Sequence, residues 1–400
     1  MATTQDSSGT ADRDDAAIVA DRAARNVAAT AAVHAGGNSA ATAGAPAGRD
    51  LFLTEICESP SALLGTARTL GEQADKFERV RTLLGGRRLV LTGMGSSADA
   101  VTALASVLGR RGVEANTIHT AELLHYRMNA LAPESAVVAV SQSGESVEAV
   151  RMAAELRKKE GVPLVAVTNG PQSPLAEEAA VSIDLGAGDE RGPSSKTYVS
   201  TMLAMHVLAE VLTGGEPVAS ILSSAQALAE KAAAGLSEWA DGAEAIGRRL
   251  AAAIDESEQA LMVLGRGVAI ATAELNALVL KESAHVPAHS MDAAEFRHGP
   301  LELAAPGLGV VLVSLEPTQA ALDARLRGEL EAKGASVTVV GTDVVAASGL
   351  TVDYLFSSTA PLLDAGCAAV LLLLAAWAKA SQNSATPGVF NVGAKVTTCE

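Results

Sequence analysis

The sequence predicts an α/β protein made of two similar three-layer α/β/α units, each a parallel sheet covered by helices on both faces. Three observations predict this class. Short apolar strands alternate with helical segments through glycine-containing connections, and this alternation recurs in the second half of the 400-residue chain. Aromatic residues make up only 2% of a composition that is 48% hydrophobic. Small apolar side chains let helices pack closely on a sheet, and alternating strands and helices favour parallel pairing.

The first unit follows an N-terminal segment, residues 1–50, that is rich in Ala, Thr, Gly and Asp and has no aromatic residue. Such a segment buries little apolar surface, so we predict that it is disordered. The pattern of residues 51–215 then predicts three strands, each followed by a turn, and two helices. The strands are 87–93, 136–140 and 163–168, and the helices are 98–108 and 147–158.

The second unit repeats this pattern after an Ala- and Glu-rich stretch, residues 216–245, which predicts a helical linker. We assign residues 246–385 to this unit and residues 386–400 to a C-terminal tail. Its predicted elements are strands at 260–265, 310–313 and 337–340 and a helix at 269–284. Two copies of one α/β unit in a chain indicate an internal duplication.

The formal net charge of −16 argues against nucleic acid or an anionic membrane as the main partner. A small anionic substrate is compatible with this charge, because backbone amides and a few cations bind phosphate locally. The longest apolar run, residues 367–378, is too short to span a bilayer and predicts a buried helix. Because the first residues also contain no apolar signal-peptide run, we predict a cytoplasmic protein.

The three cysteines, Cys57, Cys367 and Cys399, lie far apart and show no C-x-x-C spacing. This distribution favours isolated reduced thiols over a zinc site or a disulfide framework. His285 and His289 are four residues apart, but the intervening proline and the lack of a third ligand make a metal pair a weak interpretation. We therefore expect no metal and no organic cofactor.

A candidate phosphate site is the Ser-Gln-Ser-Gly-Glu-Ser segment that separates a predicted strand from a helix. Ligands of open parallel sheets bind at the carboxyl ends of strands, where helix N-termini supply amide donors and hydroxyl groups add more. A second Gly- and Ser-rich turn follows the first strand. The phosphate-binding candidates from these two turns are Ser96, Ser97, Ser141, Gln142, Ser143 and Ser146. The alternative is two ordinary turns with N-capping serines, but the clustering favours phosphate.

On these motifs the chain resembles the SIS (sugar isomerase) domain family, and within it the isomerase half of glucosamine-6-phosphate synthase. In that family the loop reads Ser-Gln-Ser-Gly-Glu-Thr, and here Ser146 takes the last place. The resemblance covers residues 51–400 and includes 194–196, 280–282, 295–300 and 394–397. It implies two tandem flavodoxin-like SIS domains, a homodimer, and a substrate-binding role for Ser194.

The resemblance also implies three catalytic residues. Glu282 would move a proton between sugar carbons C1 and C2, and a carboxylate under a lid is a stronger base than one in water. His298 would open the sugar ring, reaching the site of the neighbouring subunit, and histidine titrates near neutral pH. Lys395 would meet the open-chain carbonyl from the tail that covers the site. Each residue considered singly would be an ordinary surface or loop side chain.

Two departures from the synthase affect the expected reaction. Ala2 follows Met1 where the synthase has its nucleophilic cysteine, and residues 1–50 are too few for a glutaminase domain, so we expect no ammonia release from glutamine. Val279 stands where the synthase has a lysine, three residues before the catalytic glutamate. This change would alter proton handling around the C1 and C2 oxygens.

These features favour an amino-sugar 6-phosphate isomerase/deaminase of the glucosamine-6-phosphate type. It would open the ring, transfer the C2 proton and release ammonia. A dehydratase is the first alternative, in which C2 deprotonation of an N-acetylhexosamine 6-phosphate eliminates the C3 hydroxyl. A sugar-phosphate-binding regulatory module is the second, although the acidic N-terminal segment offers no basic DNA-binding helix.

Overall fold

Two five-stranded parallel sheets organise the computed structural model, which describes residues 50–255, 260–383 and 386–398. The prediction of disorder for the N-terminal segment, apart from Asp50, lies outside these residues, as does Cys399. Residues from Asp50 onward form one compact unit that contains both sheets. The predicted α/β class is therefore confirmed, whereas the predicted domain bounds stay predictions.

The first sheet has the strand order β2-β1-β3-β4-β5. Its strands are β1 (Arg88–Gly93), β2 (Ala115–His119), β3 (Ser135–Val140), β4 (Leu164–Thr168) and β5 (Val181–Asp184). The helices of this half are α1 (Leu51–Cys57), α2 (Ser59–Gly71), α3 (Ala74–Leu84), α4 (Ser96–Arg110), α5 (Thr120–Glu122), α6 (Val147–Arg157), α7 (Pro174–Glu178) and α8 (Lys196–Thr213). The short α5 continues as a π-helical turn, Leu123–Arg127, and a 3-10 turn, Met128–Ala130.

The second sheet has the strand order β10-β9-β8-β6-β7, which is the same order when its strands are counted from its own first strand. The strands are β6 (Ala260–Gly265), β7 (Ala288–Asp292), β8 (Leu308–Ser314), β9 (Ser336–Thr342) and β10 (Tyr354–Phe356). The helices are α9 (Val218–Asp241), α10 (Ala243–Asp255), α11 (Ala269–Ala284), α12 (Ala320–Glu331), α13 (Asp343–Ala347) and α14 (Pro361–Asn383). Every strand pair is parallel, so the two sheets are consistent with duplication.

Four strands were not predicted, namely β2, β5, β7 and β10. All four are edge strands, and all four contain partly exposed or polar positions, as in the Ala-Asn-Thr-Ile-His sequence of β2. The predicted strands instead coincide with the buried interior strands, such as β3 and β8, which are buried along their whole length. An apolar run reveals a strand that is covered on both faces, and an edge strand has no such run.

The predicted linker, residues 216–245, corresponds mainly to α9, which packs along α2, and the following α10 packs along α14. These helices are thus part of the packed body. The apolar run predicted as a buried helix belongs to α14, which also contacts α8 and α11. Helix α14 is long and apolar enough to cross a membrane, but 94% of its most apolar window is buried inside the protein. The prediction of a buried helix is confirmed, because a helix that is apolar all round is a core helix here.

The order of the first sheet determines where a ligand can bind. The chain passes from β1 to β2 on one side and then returns to β3 on the other side of β1. At such a switch point the connections leave in opposite directions and open a crevice at the carboxyl ends of the two central strands. Those ends lead directly into the two predicted phosphate-binding turns.

Candidate active site

A cavity of about 200 Å³ occupies this switch point, where residues of α11 and of the C-terminal tail complete its wall. Nine of the ten site residues predicted from the sequence line it. They are Ser96, Ser97, Ser141, Gln142, Ser143, Ser146, Ser194, Glu282 and Lys395. The structure therefore brings the predicted phosphate-binding hydroxyls, the predicted base and the predicted lysine to one place.

The turn after β3 forms the polar end of the cavity. Gly144 has a φ of +66°, and a side chain there would collide with Ser173. Glycine is therefore required to fold the turn back onto its neighbour. The Gly144 N–H donates a hydrogen bond of 3.2 Å to Ser141 Oγ, which orients that hydroxyl. The conformation of the turn is thus set by contacts within the protein.

The serines at this end do not cap the helices. The N-cap residue of α4 is Gly95, and Ser146, the N-cap residue of α6, makes no side-chain capping hydrogen bond. The alternative interpretation, in which these serines cap the two helices with their side chains, therefore does not apply to these turns. The Ser146 hydroxyl lines the cavity at the positive end of a helix, which is where an anion is bound favourably.

Glu282 lies in the last turn of α11 and is half-buried. Burial raises its pKa above the usual value, and the positive charges of Lys395 and Lys281 oppose this rise. Leu278, one helical turn earlier, also lines the cavity, whereas Val279 is fully buried in the hydrophobic core. Position 279 therefore contributes no positively charged side chain to the cavity wall.

Lys395 extends from the tail, and its Nζ donates to Oε2 of Glu190 at 2.6 Å. The tail is also attached to the polar end of the cavity, because the Val147 N–H in the first turn of α6 donates to the Thr397 carbonyl at 3.0 Å. Within the described ranges, Lys395 is the only lysine or arginine that lines the cavity. The single positive charge of the cavity wall thus comes from the segment that closes it.

His298 does not line the cavity of its own chain. It is exposed and follows a 3-10 turn, Glu295–Arg297, beyond the end of β7. Its backbone N–H donates to the Glu295 carbonyl at 2.8 Å. The predicted role of His298 in the site of a neighbouring subunit stays a prediction.

The sequence reasoning missed several residues of this site. The missed lining residues include Met94, Thr120, Leu278, Phe390 and Thr397, and Glu190 lies behind them. Helical periodicity would have indicated Leu278, because it precedes Glu282 by four residues. Glu190 had no such indication, because it lies in a loop and contacts Lys395 across 205 positions of sequence.

The other ionisable candidates do not form a second centre. The Cys57 Sγ donates to the Ala240 carbonyl at 3.9 Å, and burial raises the pKa of Cys367. In the part of the chain that the structure describes, no three His, Cys, Asp or Glu side chains come together as metal ligands.

A family model for the SIS domain matches residues 82–211 and 256–348, which is more than half of the chain. The chain belongs to the SIS domain family. It is 31% identical over 306 residues to a glutamine–fructose-6-phosphate aminotransferase (isomerizing) of Aeropyrum pernix, covering 72% of this chain and 46% of that protein. A similar protein of Pyrobaculum aerophilum is 28% identical over 286 residues, covering 71% of this chain and 46% of the relative. The SIS chain thus spans about half the length of these relatives.

Solved structures agree with this family. A phosphosugar isomerase from Silicibacter pomeroyi superposes with a TM-score of 0.69 at 26% identity, covering 84% of this chain and 98% of that one. A glucosamine-6-phosphate deaminase from Thermotoga maritima superposes with a TM-score of 0.66, covering 84% and 96%. At 19% identity, the second likeness shows the shared fold.

Proposed function

We propose that this SIS protein is an amino-sugar 6-phosphate isomerase/deaminase. The observation that supports the proposal is the composition of one cavity, in which a rigid serine-rich turn at a helix N-terminus faces Glu282 and Lys395. The turn provides hydroxyl donors for a phosphomonoester, and the opposite wall provides a base and a cation for a sugar carbonyl. A cavity of about 200 Å³ admits a small molecule rather than a polymer.

In the proposed reaction the 6-phosphate is bound by Ser141, Ser143 and Ser146, and the ring opens to expose the C1 aldehyde. Glu282 removes the C2 proton, and the electrons of the C2–H bond move toward the C1 oxygen. Glu282, which exchanges the proton with solvent, then protonates C1, while the amine nitrogen loses a proton and the C1 oxygen gains one. This leaves a hydroxyl group on C1 and an imine at C2. Water hydrolyses the imine to a ketose 6-phosphate and ammonia, so no glutamine enters the reaction.

The raised pKa of Glu282 supports its assignment as the base. Burial makes a carboxylate a better proton acceptor, and the C2 proton is acidified by the neighbouring carbonyl. Lys395 stabilises the negative charge that develops on the carbonyl oxygen. His298 of a second subunit is proposed to assist ring opening, as the family resemblance implies.

A dehydratase is the second candidate, and the observation that favours it is the core position of Val279. Because position 279 supplies no positive charge here, the surroundings of the C3 hydroxyl of an acetylated substrate would be less positive than in a synthase-type site, which has a lysine at this position. Removal of the C2 proton by Glu282 would then expel the C3 hydroxyl as water.

Incubation of the protein with glucosamine 6-phosphate, and separately with N-acetylglucosamine 6-phosphate, in deuterated water tests these candidates by mass spectrometry. We expect ammonia and a deuterium-containing ketose phosphate from the free amine. Loss of water from the acetylated sugar would favour the dehydratase. The Glu282→Gln variant is the control, because it should bind the sugar phosphate without turnover. Binding by the wild type without any reaction would contradict the enzyme and favour a regulatory module.

A further inference from the structure

Glu190 is a buried carboxylate that the proposed reaction does not use, and it holds the Lys395 side chain. The Glu190 side chain has 0% exposure, and the Lys395 side chain has 21%. The Nζ–Oε2 distance is 2.6 Å. The only cation of the described cavity wall is thus paired with an anion that lies behind the wall.

The Glu190 carboxylate also lies at the N-terminus of α8. The backbone N–H groups of Ser195 and Thr197 donate to it at 2.9 and 3.1 Å, and their hydroxyls donate at 3.0 and 2.7 Å. Burial alone would raise the pKa of Glu190, but the Lys395 charge and the Thr197 hydrogen bonds hold it below the usual value. Because these donors and the helix dipole stabilise the charged form, Glu190 is an anion and a poor proton acceptor.

This arrangement restricts what Lys395 can do. The lysine belongs to a tail segment without helix or strand, and Glu190 fixes a long side chain that would otherwise sample many rotamers. The Nζ donates to the buried Glu190 carboxylate at 2.6 Å, and a nitrogen held as a donor in this way does not turn a lone pair toward a carbonyl carbon. An ammonium group, in contrast, can donate a hydrogen bond to a carbonyl oxygen while it is still held by Glu190.

We infer that Glu190 is a positioning residue that presents Lys395 to the cavity as an ammonium donor to the sugar carbonyl oxygen, and not as a nucleophilic amine. The inference rests on the proposed function. When Glu282 takes the C2 proton, the C2–H electrons move toward the C1 oxygen, and the ammonium stabilises the charge that develops there. The lysine forms no covalent bond in this scheme.

The link between the two residues can be tested without turnover. An amine-reactive reagent is applied to the wild type and to Glu190→Gln, and the labelling rate of each lysine is followed by mass spectrometry. We expect Lys395 to be labelled about 10-fold or more faster in the variant, because it loses a charge-assisted hydrogen bond. Lys333, which is exposed, is the internal control and should not change. Equal labelling of Lys395 in both proteins would overturn the inference.

The role in the reaction is tested by kinetics. In Glu190→Gln we expect kcat to fall about 10- to 100-fold with little change in KM. The double variant Glu190→Gln/Lys395→Gln should be no slower than Lys395→Gln alone, whereas a purely structural defect would add to the loss caused by Lys395→Gln. An unchanged kcat in Glu190→Gln would contradict the inference.

Borohydride reduction provides a readout that does not need the Glu190 variant to fold. Wild-type protein incubated with fructose 6-phosphate and borohydride should show no sugar adduct at Lys395, whereas an adduct would overturn the inference. The proposed function and the role of Glu190 can be disproved independently. If the wild type acts on no sugar phosphate, the proposed function is wrong, while the labelling experiment still decides whether Glu190 holds Lys395.

Discussion

The Glu316 carboxylate occupies the space that a side chain at Gly267, two residues before α11, would need. Gly267 has a φ of +55°, and a side chain there would collide with Glu316 Oε1. Gly95, which follows the first strand of the other sheet, has a φ of +50°, and a Cβ there would meet Leu278 at an ordinary van der Waals distance of 3.7 Å. Glu316 also pairs with Arg110 of α4. In the second unit, the Glu316 carboxylate thus occupies the place at which the first unit has its cavity.

Substitution of alanine at these two glycines should cause different losses of stability. Gly267→Ala should lower the free energy of unfolding by about 1–3 kcal/mol, because it combines a strained backbone with displacement of the Glu316 carboxylate from its place beside Arg110. Gly95→Ala introduces the same backbone strain into open space, so it should lose less stability. Urea denaturation of both variants measures the difference. A larger loss in Gly95→Ala would refute the argument.

The serine-rich turn should control affinity through the phosphate. Ser141→Ala and Ser143→Ala should each raise KM about 10-fold, since each removes one hydroxyl donor to a charged group. Inorganic phosphate should compete with the substrate, and glucosamine without its phosphate should bind poorly. Ser348→Ala, on an exposed turn of the second unit, is the matched control and should leave KM unchanged. Isothermal titration with inorganic phosphate checks the same donors independently of turnover.

The pH dependence of activity should reflect Glu282. A base works in its deprotonated form, so kcat/KM should fall as the pH decreases through the pKa of Glu282. Burial raises that pKa, which places the acid limb above the pH at which an ordinary glutamate titrates. Lys281 opposes this rise, so Lys281→Met should move the limb to higher pH. If Lys281→Met leaves the acid limb unchanged, that limb reflects the titration of a group other than Glu282.

Asp99 should make the protein less stable as the pH rises. One of its carboxylate oxygens is buried without a hydrogen-bond partner in the described structure. Burial, and then the charges of Glu274 and Glu282, raise its pKa well above the usual value. A raised folded-state pKa gives stability that is complete below the unfolded pKa and is lost as pH rises through the folded one. Asp99→Asn should therefore raise Tm by about 2–4 °C at pH 8. The gain should disappear near pH 4; equal melting curves at pH 8 would contradict this reasoning.

Much of this site was predictable because its polar residues directly follow buried strands in the sequence. Apolar runs revealed β1 and β3, and the polar residues after each run necessarily meet at one edge of a parallel sheet. Glu190 could not be found in this way, because its contact with Lys395 depends on how a loop and a distant tail fold onto α8. The burial of Val279 was equally hidden, since its helix α11 is apolar on nearly every side and no periodicity distinguishes the cavity face.

His298 is exposed in its own chain and does not line the cavity of that chain. If a dimer shares its sites, Glu282→Gln and His298→Asn should each be nearly inactive alone. A mixture that exchanges subunits should regain activity, because the mixed dimer has one site with both native residues. With random exchange, half of the dimers are mixed, so about a quarter of wild-type activity should return. The double variant mixed with either single variant is the control and should restore none. If the mixture of single variants stays inactive after exchange is verified by native mass spectrometry, His298 serves its own chain or takes no part.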